Sequence, residues 1–225
     1  MAANTDLRRR DMLGAATALG CLTLAPGVAR ALARETPTPA QTAGPFYPSP
    51  RPLEQDMDLT RVSGHDARAE GRIVQLRGRV LDRDGRPVRG ARIELWQANA
   101  RGRYAHPRDI NPAPLDPNFQ GFGVQVTDAQ GRYRFTTIKP GAYPINPANP
   151  DAVRTPHVHF DIARGQHHLV TQMYFPGEAL NATDRIFQAL DRAQQAAALG
   201  AVVPSLASGS DADALQVRWD IVLAT

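Results

Sequence analysis

The sequence predicts an all-β chain: an antiparallel β-sandwich with one peripheral helix and an extended N-terminal arm. Three observations point there. Paired runs rich in β-branched and apolar residues flank Asp-x-x-Gly turns at Asp82-Arg83-Asp84-Gly85 and at Asp128-Ala129-Gln130-Gly131. The final segment places Val217, Trp219, Ile221 and Leu223 on one face and Gln216, Arg218 and Asp220 on the other, the period of a half-buried strand. A single stretch near the C-terminus carries helical period instead. The 225 residues, 42% of them apolar, suffice for one sizeable core and leave little for a second.

In chain order, residues 1–33 read as an export leader. Arg8-Arg9-Arg10 precede an apolar stretch from Met12 to Ala25, Ala31-Leu32-Ala33 offers small residues for cleavage, and Arg9-Arg10-Asp11-Met12-Leu13 resembles a twin-arginine signal. The stretch is short for a membrane span and ends at Pro26-Gly27, so stable membrane insertion is not expected after cleavage. A periplasmic or extracellular location follows. Residues 34–60 form a Pro-rich arm, with Pro37, Pro39, Pro45, Pro48, Pro50 and Pro52 excluding regular helix, and with Phe46 and Tyr47 available for burial. Residues 61–225 form the sandwich. Its strands are expected at 73–81, 91–97, 122–127, 132–136, 158–162, 169–174 and 216–223. The helix should run from Thr183 or Asp184 to about Leu199, capped by Thr183, with Ile186, Phe187, Leu190 and Ala193 as its buried stripe and Gly200 as its end.

Charge excludes one class of partner. Half of the formal +4 belongs to the leader, and no basic stripe with interleaved aromatics marks a nucleic-acid surface. The only cysteine, Cys21, also lies in the leader, so the remainder has neither disulfide nor thiolate ligand.

The chemistry concentrates in Arg154-Thr155-Pro156-His157-Val158-His159-Phe160. On a strand, residues i and i+2 face the same way, so His157 and His159 can each offer one nitrogen to a single metal ion. With thiolates absent, the further ligands should be oxygens. Tyr104, in Gly102-Arg103-Tyr104-Ala105, and Tyr143, in Gly141-Ala142-Tyr143-Pro144, both qualify, because a phenolate is a hard, strongly donating anion suited to trivalent iron. Each residue also has an ordinary explanation: a hydrogen-bonded strand pair for the histidines, turn or strand-end aromatics for the tyrosines.

Several motifs recur together and in order: Thr38-Pro39-Ala40-Gln41-Thr42-Ala43-Gly44-Pro45, Leu95-Trp96-Gln97-Ala98-Asn99, Leu115-Asp116-Pro117-Asn118-Phe119, Thr137-Ile138-Lys139-Pro140-Gly141 and Thr171-Gln172-Met173-Tyr174-Phe175. In these the chain resembles the intradiol ring-cleavage dioxygenases, most closely their protocatechuate branch. The resemblance implies Fe(III) held by Tyr104, Tyr143, His157 and His159. It implies a catechol substrate and O2, with Tyr143 the phenolate that departs on substrate binding and accepts a proton. Arg154 and Gln172 take the roles of polar groups that stabilise charge on the activated ring, and Trp96 packs behind Tyr104. His65, His106, His167 and His168 are not placed on iron. Ile145 stands where the resembled catalytic chain has a pocket-shaping tryptophan, which leaves the preferred catechol open, and assembly with further copies of the chain is open too. The competing class is a non-catalytic β-sandwich module that binds carbohydrate or another ligand.

Overall fold

The computed structural model describes residues 34–146, 149–205 and 212–224, with backbone alone at 146 and 149–151. The expected leader lies outside them. Strand alternation decides what faces what. β1 (Ile73–Leu81) turns Val74, Leu76 and Val80 inward, and β4 (Arg132–Ile138) pairs with it antiparallel and adds Phe135 and Ile138. These face Ile93 and Leu95 of β2 (Arg92–Trp96), Val158, Phe160 and Ile162 of β7 (His157–Arg164), and Met173 of β8 (His167–Tyr174). With β3 (Phe122–Val126), the latter strands form a four-stranded antiparallel sheet in the order β3-β2-β7-β8. The layers are those of an all-β sandwich.

The other sheet is not wholly antiparallel. β10 (Leu215–Arg218) and β11 (Ile221–Val222) both pair with β1 in parallel, while β9 (Ala201–Val202) joins β10 antiparallel. Parallel partners cannot be joined by a tight turn, and here the whole chain between Leu81 and Leu215, including the other sheet, separates β1 from β10. The expected terminal strand keeps its alternation but breaks at Trp219 and Asp220. There the Trp219 carbonyl presses so close to β1 that a Cβ on Gly78 would lie 1.7 Å from it. Glycine is required at position 78.

That carbonyl accepts a 2.6 Å hydrogen bond from Tyr133, whose buried hydroxyl is held well above its ordinary pKa by burial and then by the charge of Asp220. A folded pKa above the unfolded value of about 10 means that the contribution is complete below pH 10 and lost as pH rises past it. Folding stability of Tyr133→Phe should therefore fall less steeply above pH 10 than that of the parent, by up to about 1.4 kcal/mol per pH unit. Urea titrations across pH 8 to 11 measure this, and parallel slopes would refute it.

The expected single helix is interrupted. A 3-10 turn at Ala179–Ala182 precedes two short helices, Arg185–Gln188 and Arg192–Ala198. Asp184, not Thr183, caps the first, because its carboxylate accepts from Ile186 N and Phe187 N; Asp191 opens the second in a capping box with Gln194. An N-cap cannot sit inside a helix, so Asp191 divides what periodicity alone reads as one element. Phe187 and Ala198 are buried and Ile186 and Leu190 half-buried, whereas Ala193, expected in the buried stripe, is exposed. No helix among the described residues is long and apolar enough to cross a membrane.

The arm is stitched to both sheets. Thr38 N donates to Val222 O, Gln41 N to Val170 O, and Leu59 N to Thr136 O, while Val124 N donates to Gln55 O. One hairpin went unread in the sequence: β5 (Tyr143–Asn146) and β6 (Asn149–Arg154) pair with each other alone, and set Tyr143 opposite Arg154. Pro144 and its proline-rich surroundings conceal the strand pattern.

Candidate metal centre

Core-facing residues of β7 are Val158, Phe160 and Ile162, so His157 and His159 necessarily point away from the core, on the outer face of the four-stranded sheet. That face is not open to solvent. Arm and hairpin cover it, leaving both imidazoles 2% exposed. Trp96, paired with His159 across β2 and β7, lies flat on its ring at a centroid distance of 4.9 Å and an angle of 8°.

His157 Nδ1 lies 2.7 Å from the Thr155 carbonyl, which can only accept, so Nδ1 carries the proton and Nε2 presents a lone pair. His159 Nε2 lies 3.1 Å from that lone pair. Its own Nδ1 is buried without a hydrogen-bond partner among the described residues. Burial, and next the nearby Arg154 charge, push His157 down to about 3; burial, then His157 and Arg154, hold His159 well below its ordinary value. Both rings are neutral at ordinary pH, the state in which imidazole binds a metal.

The tyrosines arrive from two loops that interlock. A Cβ on Gly102 would sit 2.2 Å from the Ala142 carbonyl, and one on Gly141 would sit 2.5 Å from the Ala100 carbonyl. Two glycines thus permit backbone contact, and each places a tyrosine two residues further on. Tyr104 is anchored by its N–H to Asp109 Oδ2 at 2.7 Å. The four rings close a circuit: Tyr104 to Tyr143 at 5.4 Å, Tyr143 to His157 at 5.7 Å, His157 to His159 at 4.8 Å and His159 to Tyr104 at 6.2 Å. The Tyr104 hydroxyl is buried with no hydrogen-bond partner among the described residues. Burial raises both phenols, Tyr104 well above its ordinary value with the Tyr143 charge adding to it, whereas the Arg154 guanidinium pulls Tyr143 back in part.

A polar network flanks the rings. Arg154, 5% exposed, donates from Nε to Asp184 Oδ2 at 2.8 Å and from its terminal nitrogen to Gln172 Oε1 at 2.7 Å. Asp184 Oδ2 also accepts Thr155 N at 3.0 Å. Tyr174 donates to Gln41 Oε1 at 2.8 Å and lies 3.1 Å from Gln172 Oε1. Gln172 in turn donates to the Thr42 carbonyl at 2.8 Å. Asp184 and Tyr174 were not singled out in the sequence. Thr183-Asp184 ahead of a helical stretch was the available sign for the first, and the Thr171–Phe175 motif for the second.

The sequence expected six residues at one site, Tyr104, Tyr143, Arg154, His157, His159 and Gln172, and the fold brings all six together. The remaining histidines lie elsewhere: His65 bonds Asn118, His168 pairs with Asp161, His167 is exposed, and His106 sits at the rim against Phe46. Ile145 is 59% exposed, so its side chain fills no cavity behind the rings. Among the described residues no group of three His, Cys, Asp or Glu converges on one point. Any metal here must draw on the tyrosines.

Residues 42–225 match a family model described as Dioxygenase. The β chain of protocatechuate 3,4-dioxygenase from Burkholderia cepacia is 47% identical over 170 residues, covering 75% of this chain and 71% of that one. Hydroxyquinol 1,2-dioxygenase from a Rhizobium strain is 34% identical over 178 residues, covering 70% of this chain and 57% of that one. Among solved structures, the dioxygenase domain of a dioxygenase carbohydrate-binding protein fusion from Streptomyces sp. SirexAA-E aligns at 30% identity with a TM-score of 0.61, over 84% of this chain and 99% of that one. Hydroxyquinol 1,2-dioxygenase from Pseudomonas putida DLL-E4 shares the fold at 21% identity and a TM-score of 0.66, over 88% of this chain and 74% of that one. With the family model spanning everything from the arm to the last strand, and a 47% identical relative beside it, the chain belongs to the intradiol ring-cleavage dioxygenases and is related to the β chain of protocatechuate 3,4-dioxygenase.

Proposed function

We propose that this protein uses O2 to open the ring of a catechol between its two hydroxyl-bearing carbons, with protocatechuate the first substrate to test and a cis,cis-muconate the product. The observation that carries this reading is the closed circuit of two neutral imidazoles and two buried phenols, with the imidazole Nε2 atoms 3.1 Å apart. Two nitrogens and two oxygens without thiolate suit Fe(III). The fit has a further sign: the buried Tyr104 hydroxyl, without a hydrogen-bond partner among the described residues, and the His157 Nε2 lone pair, with His159 Nε2 3.1 Å away, are groups that a cation would satisfy. A phenol is protonated at neutral pH and burial raises both of these further, so a trivalent cation is what would let them ionise. Tyr104, Tyr143, His157 and His159 would hold the iron. When bound, Fe(III) supplies Lewis acidity that draws electron density from a chelating catecholate and makes its ring carbon reactive to O2.

The chain's own residues supply the rest. Tyr143 stands against Arg154 across β5 and β6, so it would hold the iron in the loaded site and, as a free phenolate, would be placed to take a proton from a substrate hydroxyl, with the guanidinium beside the charge left behind. Gln172 holds Arg154 from the far side and is itself tied to the arm. Water is excluded by the arm above and by Trp96 behind His159. The carbohydrate-binding module has no use for such a cluster. Residues 1–33 are read as the twin-arginine leader, with action outside the cytoplasm.

Oxygen uptake over protocatechuate, catechol and hydroxyquinol, with products identified by mass and ultraviolet spectrum, tests the reading. Uptake without added reductant and an intradiol product are expected; a yellow semialdehyde, or no uptake by iron-loaded protein, would overturn it. Tyr143→Phe should keep iron and fold yet lose about a hundredfold in kcat, the scale of a lost proton acceptor. Unchanged turnover would remove that role.

A further inference from the structure

We propose that Glu94 is a positioning residue which seats residues 41–47 over the ring cluster; its effect on turnover rests on the function proposed above. Glu94 is a carboxylate on β2, two residues before Trp96 and on the same outward face, yet it is only 2% exposed. A buried carboxylate is costly unless paired. Its partners come from two places. Arg92, on the same strand, reaches Oε1. Arg51 reaches Oε1 at 2.7 Å and the Tyr47 hydroxyl donates to Oε2 at 2.5 Å, and both belong to the arm. Lifting the arm would leave Glu94 with one partner in place of three.

What Glu94 holds is connected to the site. Tyr47 stands edge-on to Trp96 at 5.1 Å and 87°, and Trp96 is the ring stacked on His159. Three residues before Tyr47, Gly44 passes directly over the imidazole: with φ at +68°, a Cβ there would lie 3.4 Å from His159 Cε1 and 3.8 Å from Nε2. Between them Phe46 packs on Tyr104 at 4.8 Å. The other end of this strap is fastened independently, by Gln41 Nε2 to the Gln172 carbonyl at 3.0 Å and by Tyr174 to Gln41 Oε1 at 2.8 Å. Between these ends the Pro45 carbonyl accepts from Arg108 at 2.7 Å, while the hold on Tyr47, the ring set against Trp96, centres on the Glu94 carboxylate. Pro45 and Pro48 stiffen the backbone on either side, so fixing Tyr47 also fixes Gly44.

The test compares Glu94→Gln and Tyr47→Phe with the parent by amide hydrogen exchange. Glu94→Gln keeps the shape and removes the charge, while Tyr47→Phe removes one hydroxyl and leaves Glu94 with its arginines, which guards against a variant that fails to fold. Exchange over residues 41–47 should quicken about tenfold or more in Glu94→Gln and by less in Tyr47→Phe, with β1 and β4 unchanged. For catechol, kcat/KM should drop about fivefold or more, as misplacement near reacting groups does. Glu70→Gln, which breaks an exposed pair with Arg101, should move neither readout. Unchanged arm exchange, acceleration spread through β1 and β4, or a loosened arm with unaltered kcat/KM would each overturn the proposal. A parent that turns over no catechol would instead strike the function proposed above, leaving the exchange data to judge how Glu94 holds the arm.

Discussion

Replacing His159 with alanine is expected to lower bound iron from about one per chain to below about a tenth, with loss of visible colour. The reason is geometric. β7 offers two imidazoles on its outer face, their Nε2 atoms 3.1 Å apart, and His65, His106, His167 and His168 all lie outside the ring circuit. No spare nitrogen is in place to substitute. His157→Ala should behave alike and also leave the Thr155 carbonyl without its donor. The fold should survive His159→Ala, since the loss of its stack with Trp96 costs about 0.5–1.5 kcal/mol beyond area burial. Metal analysis with circular dichroism separates the two effects. Stoichiometric iron and undiminished colour in both variants would remove the histidines from the metal site.

Asp184→Ala should be the most destabilising single change near the site, by about 3–5 kcal/mol in urea unfolding, the range for breaking a buried charge pair from one side. Its side chain is fully buried and that of Arg154 is 6% exposed. One carboxylate oxygen holds Arg154 Nε and Thr155 N, and the other caps Arg185–Gln188 through Ile186 N and Phe187 N. The alanine variant leaves a buried guanidinium held only by the neutral groups of Gln172 and Tyr174 among the described residues, and a helix start uncapped. Asp184→Asn keeps the cap geometry without the charge and should fall between parent and alanine. A loss below about 1 kcal/mol would mean that solvent or a rearranged side chain replaces the pair.

Alternation and turn chemistry are local properties, and they located most strands and aimed His157 and His159 to one side of the same strand. The motif resemblance assigned Tyr104 and Tyr143, which phenolate chemistry had already offered as oxygen donors, to the same metal, and it added Arg154 and Gln172. Where the reading failed, the cause was equally physical. Helical period cannot reveal that Asp191 is a cap, because its carboxylate must meet the N–H of Gln194 before the break exists. Proline hides the hairpin that sets Tyr143 against Arg154, since a strand paired only with its own return carries no alternating apolar face.

From the residues alone came an all-β chain and a strand with two imidazoles on one side, both consequences of spacing along the backbone, and tyrosines able to act as oxygen ligands, a consequence of phenolate chemistry. Tertiary structure alone decided that Gly102 and Gly141 let two loops touch so that the tyrosines meet, and that Asp184, thirty residues on, grips Arg154. It also decided that β10 and β11 run parallel to β1, and that a proline-rich arm closes over His159 through Glu94. Those contacts join segments far apart in sequence, and they form only when burial brings the segments together, which periodicity along one strand cannot encode.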